Sequence, residues 1–94
     1  MKRANSIIQT EKECFICGTP FGLDHHHCIY GTANRKLADK DGLWVYLCKE
    51  HHTGSTGVHK NRELGLKLIQ MAQRKYEETH TRDEFRIRYG KSWL

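Results

Sequence analysis

Apolar and polar positions divide the chain into a short run of elements. Leu43-Trp44-Val45-Tyr46-Leu47 is apolar, aromatic and β-branched, the clearest strand in the sequence. An earlier strand is expected from Leu23 to Tyr30. Between the two, Gly31 to Gly42 reads as a polar loop centred on Asn34, Arg35 and Lys36. Leu64, Leu68, Met71, Ala72 and Tyr76 recur at helical spacing and predict a helix from about His59 to Glu78, its stripe serving as core. Thr81-Arg82-Asp83-Glu84 is a capping-box pattern. It opens a short helix with Phe85 and Tyr89 on one side, and Gly90 is a suitable stop. Trp93 and Leu94 are expected to fold back over apolar surface. Residues 1–13 are polar and form a lead-in, with Ile7 and Ile8 able to dock. Thr53-Gly54-Ser55-Thr56-Gly57 reads as a flexible link. The order strand, strand, helix, helix gives an α+β domain over residues 14–94, with no internal repeat.

The bulk numbers narrow this picture. With 94 residues there is room for one domain and a thin core, to which a metal staple would add useful stability. No apolar run is long enough to span a bilayer. The first ten residues carry a basic front but no adequate hydrophobic stretch for export, so a cytoplasmic protein with reduced cysteines is expected. A formal charge of +5 fits a polyanionic partner without requiring one.

Seven histidines and four cysteines carry the candidate chemistry. Cys14-Phe15-Ile16-Cys17 is a knuckle of two thiolates on a tight turn, followed by Gly18. Cys48-Lys49-Glu50-His51 is a second pair with the same two-residue gap, delivered by the apolar strand. Together they are expected to form a closed tetrahedral zinc site of three thiolates and one imidazole. Cys28 is the competing fourth ligand, giving an all-cysteine site; a strand cysteine is also often a small buried hydrophobe. This leaves His25, His26, His27, His52 and His59, more imidazoles than the closed site needs, and they suggest a second, open site.

On these residues the chain resembles the HNH endonucleases, whose catalytic unit is the ββα-metal (His-Me finger) fold. The resemblance rests on the His26-His27 pair on the first strand, Leu47-Cys48 ending the second, the Cys48-x-x-His51-His52 knuckle, and His59 at the head of a helix. It is similar above all to small phage and prophage members, including the RecA-dependent nuclease group, through Asn34-Arg35-Lys36, Gly57-Val58-His59 and the ending Tyr89-Gly90-Lys91-Ser92-Trp93-Leu94.

The resemblance implies an HNH nuclease domain over residues 14–94 with a C-terminal helical extension. His27 would be the general base, and His26, His52 and His59 the ligands of a catalytic cation. Arg35 and Lys36 would contact phosphate. Asp24 and His25 form a second acidic–His pair, an alternative register for ligand and base or a source of partners that orient an imidazole. Neighbouring strand residues point to opposite faces, so His25 and His27 share one. The gap from His52 to His59 is longer than one helical turn and rich in glycine, so the loop must fold back to bring them together.

The implied reaction is hydrolysis of a DNA phosphodiester at low sequence specificity, leaving 5′-phosphate and 3′-hydroxyl ends. A neutral imidazole can take a proton near neutral pH, and a cation can neutralise the phosphate. Magnesium or manganese is the expected catalytic ion, with zinc or nickel fitting three imidazoles by ligand type. DNA is the implied partner, with a recombinase filament or another DNA-processing protein as a targeting factor in a bacterial or phage-infected cell. The rival reading is a non-catalytic zinc-finger module binding nucleic acid or protein, which leaves the open-site histidines idle.

Overall fold

A computed structural model describes residues 5–55 and 57–94; the basic front at residues 1–4 and Thr56 of the glycine-rich link lie outside the described residues. The elements are β1 (Leu23–His27), α1 (Thr32–Asp41), β2 (Trp44–Cys48), α2 (Lys49–His52), α3 (Arg62–Tyr76) and α4 (Arg82–Tyr89). Among the described residues these give a small mixed α/β protein with one two-stranded antiparallel sheet. Among the described residues no helix is long and apolar enough to cross a membrane.

The β1–β2 register pairs Leu23 with Cys48, Asp24 with Leu47, His25 with Tyr46, His26 with Val45 and His27 with Trp44. Side chains alternate along a strand, so the sheet has two chemically different faces. Asp24 and His26 share one with Val45 and Leu47, while His25 and His27 share the other with Trp44 and Tyr46. Val45, Leu47 and Leu43 are fully buried and join Ile29, Leu68, Ile69, Ala72 and Phe85 in the core. The strand at 23–30 thus ends earlier than its apolar residues suggest: the Cys28 amide still donates across to the Leu43 carbonyl at 3.1 Å, and Cys28 and Ile29 then become core.

The segment expected to be a polar loop is the helix α1. It carries too few apolar residues to show a period, since Ala38 alone is buried and Leu37 packs against the core from the side. Tertiary partners hold it instead. Asp41 accepts from Arg88 Nε at 2.6 Å and Nη2 at 2.9 Å. Asn34 Nδ2 donates to the carbonyls of Tyr30 at 2.8 Å and Tyr89 at 3.2 Å. Gly42 closes the helix at φ 74°, its amide donating to the Ala38 carbonyl. That left-handed conformation suits glycine.

The C-terminal helices follow the pattern closely. α3 starts at Arg62, three residues after His59, because the Asn61 side chain caps it by accepting from the Leu64 amide at 3.1 Å. α4 begins with the full Thr81–Glu84 capping box and stops at Gly90. Gln73, fully buried, donates to Ser92 Oγ at 2.9 Å and accepts from the Trp93 amide at 2.8 Å, which folds the tail back against the core. The described part of the lead-in is held as well: the Ile7 amide donates to the Gly42 carbonyl at 3.0 Å, and Gln9 Oε1 accepts from the Tyr46 amide at 2.9 Å.

Candidate functional site

Two turns bring Cys14, Cys17, Cys48 and His51 into one group. The Cys14 amide donates to the Thr19 carbonyl and Gly18 donates back to Cys14, both at 2.8 Å, so the first knuckle is a closed turn. Phe15 donates to the Tyr46 carbonyl at 2.8 Å and lays that turn against β2. The one-turn helix α2 then carries His51 back over Cys48. Cys48 Sγ lies 3.2 Å from His51 Nδ1, Cys14 Sγ 3.7 Å from it, and Cys17 Sγ 3.8 Å from Cys48 Sγ. Tetrahedral zinc with its usual bond lengths has ligand–ligand edges of roughly 3.4–3.8 Å. The group could hold a metal such as zinc. Burial pushes the Cys14 thiol up, but backbone hydrogen bonds at Cys48, Cys17 and Ile16 more than offset it and bring it down to about 6. A thiolate near neutral pH is the form a metal takes. Cys28 stands apart from this group: it is buried in the core, and burial raises its thiol to about 12.

A second group stands on the other side of α2. His26, His52 and His59 come together with ring centroids 5.4, 5.6 and 4.7 Å apart, and His52 Nε2 faces His59 Nε2 at 3.0 Å. The loop between His52 and His59 does fold back. Val58 donates to the His51 carbonyl at 2.9 Å and His59 to the His52 carbonyl at 3.3 Å. Val58 is buried and anchors the return. Gly57 allows it, since a Cβ there would lie 2.6 Å from the His52 carbonyl oxygen.

Asp24 fixes the second imidazole. Its Oδ2 is 3.0 Å from His52 Nδ1, and Lys49 Nζ is paired with its Oδ1. A carboxylate held ionised by Lys49 can only accept, so His52 Nδ1 carries a proton, and in the neutral ring that tautomer leaves Nε2 bare toward the other rings. His26 is 5% exposed. Burial, reinforced by repulsion from His52 and His59, pulls it down to about 3. Burial and His52 also lower His59. His26 is therefore neutral across the physiological range, with a lone pair to offer.

His27 does not point into this trio. It lies on the opposite sheet face, with Nε2 2.8 Å from Asp39 Oδ1 on α1. His25 shares that face, its ring 4.9 Å from the His27 ring and 4.0 Å from Trp44. At the end of β1 the two faces meet in one cleft of about 470 Å³, where His26, His27, Tyr30, Arg35, His52 and His59 contribute to the wall. Lys60 and Arg62 line an adjoining depression with Tyr30 and His59. Lys36 is exposed on α1. Of the other basic residues, Arg88, Arg82 and Lys75 are paired with Asp41, Glu77 and Glu78. Asp39 is the residue the sequence reading missed. It sits in α1, which shows no periodic signal in the sequence, and the helical spacing of that segment turns it toward the strand.

No family model, curated protein or solved structure matches the chain.

Proposed function

We propose that the protein is a metal-dependent endonuclease of the HNH type, hydrolysing DNA phosphodiesters with little sequence preference. The observation that carries the reading is the convergence of His26, His52 and His59 beside a cleft that His27 and Arg35 also line. On this reading β1, β2 and α2 form the ββα-metal unit, α1 is inserted between its strands, and the Cys14–Cys17–Cys48–His51 group is its structural zinc site.

His26, His52 and His59 would hold the catalytic cation. The 3.0 Å between the Nε2 atoms of His52 and His59 is short enough for both nitrogens to reach one ion. When bound, that cation supplies charge neutralisation at the phosphate and at the departing oxygen. Asp24 keeps His52 in the tautomer with Nε2 bare. Asp39 does the equivalent for His27: it accepts from Nε2–H, which leaves Nδ1 to take the proton of an attacking water. Arg35 at the cleft wall, with Lys60 and Arg62 beside it, tracks the phosphate backbone, and Lys36 extends that basic surface.

Supercoiled plasmid incubated with manganese tests the reading, with chelated and His27→Ala protein as controls. Metal-dependent nicking that falls by about two to four orders of magnitude in His27→Ala is expected. Folded, metal-loaded protein that cuts no DNA form would leave the non-catalytic zinc-module reading in its place.

A further inference from the structure

The third concentration of ligating atoms lies outside both groups described so far. His25 and His27 stand two residues apart on β1 and so project from the same face. Asp39 reaches them from α1, its Oδ1 at 2.8 Å from His27 Nε2 and 3.4 Å from His25 Nε2. One ligand atom from each of the three side chains lies within 4.8 Å of the others. The rings are held in place: His25 packs on Trp44 at 4.0 Å, and Trp44 packs edge-on against Tyr46 at 5.0 Å. The Asp39 side chain is 34% exposed, which leaves room for water to complete a coordination sphere.

We propose that His25, His27 and Asp39 form an additional divalent-metal site, separate from the three-imidazole trio, that takes a borderline transition ion such as zinc, cobalt or nickel. Two imidazoles and one carboxylate with open positions are a donor set for such ions, whereas magnesium prefers oxygen alone. An ion there replaces the His27–Asp39 hydrogen bond and takes up the imidazole assigned as base. Resting on that assignment, the site is inhibitory: zinc in excess of the other groups slows cleavage supported by manganese.

The full-length protein, already loaded with zinc at its cysteines, is titrated with cobalt(II) by calorimetry and visible absorption. Wild type is expected to bind two further equivalents without thiolate charge-transfer bands, one at each of the two groups that hold no cysteine. His25→Ala and Asp39→Asn each weaken one of these at least about tenfold. His59→Ala weakens the other, and its remaining site still responds to Asp39→Asn. Circular dichroism melts confirm that the variants are folded, and His25→Asn serves where His25→Ala is not. A single further equivalent in wild type, insensitive to His25 and Asp39, overturns the site and leaves the carboxylate as a partner that orients His27. Binding without zinc inhibition of manganese-supported cleavage keeps the site but removes the inhibitory role and the assignment of His27 as base.

Discussion

Replacing Gly57 by alanine tests how His59 reaches the other two imidazoles. The added Cβ would lie 2.6 Å from the His52 carbonyl oxygen, 2.7 Å from its carbon and 2.9 Å from the Glu50 carbonyl oxygen. All three are backbone atoms, so no side chain can rotate away. Relief to an ordinary contact of about 3.4 Å requires a displacement of about 0.8 Å. Overpacking of this kind costs about 1–3 kcal/mol. The displacement falls two residues before His59, whose Nε2 must stay 3.0 Å from that of His52. Metal–ligand distances tolerate about 0.2 Å, so a shift several times larger should lower the trio's affinity for nickel at least about tenfold. Calorimetric titration of the zinc-loaded protein measures this, with zinc content and the thermal melt as controls for the cysteine group. A variant that melts lower yet binds nickel as tightly as wild type would refute the reasoning, because the loop would then not set the position of His59.

Three further outcomes follow from the same geometry. Asp24→Asn replaces the acceptor-only carboxylate with an amide that can present N–H to Nδ1, so His52 Nε2 is no longer held bare, and nickel affinity at the trio should fall about 10–100-fold with the melting temperature nearly unchanged. Cys48→Ser, or strong chelation, should abolish the cooperative melt, since Cys48 lies at the junction of β2 and α2 and two turns meet on that metal group; an unaltered melt would mean the apolar core suffices alone. Arg88→Ala strips Asp41 of both guanidinium hydrogen bonds and should cost about 1–3 kcal/mol in a urea titration, loosening the helix that carries Arg35 and Asp39.

The elements best read from sequence are those whose signal is local. The capping box at Thr81–Glu84, the stripe from Leu64 to Tyr76 and the apolar strand before Cys48 each depend on neighbours within a turn or a pleat, and all three are present. The knuckles are legible for the same reason: a two-residue gap already places two ligands on one turn. α1 was not legible. Its stability comes from Arg88 and Tyr89, 47 and 48 residues away from Asp41, and such partners leave no period in the sequence. With α1 hidden, Asp39 was hidden too. The face of each strand histidine follows from alternation alone, but what each face meets depends on where the helices pack. His26 meets α2 and the returning loop; His27 meets α1.

The proposed endonuclease chemistry requires a cation held by His26, His52 and His59. An anomalous difference map from crystals of the protein loaded with nickel tests this directly. The expected result is a peak at about 2.1 Å from one nitrogen of each of the three rings, with open positions facing the cleft, separate from the ion at the cysteines. Metal at the cysteine group with those three imidazoles unligated would contradict it.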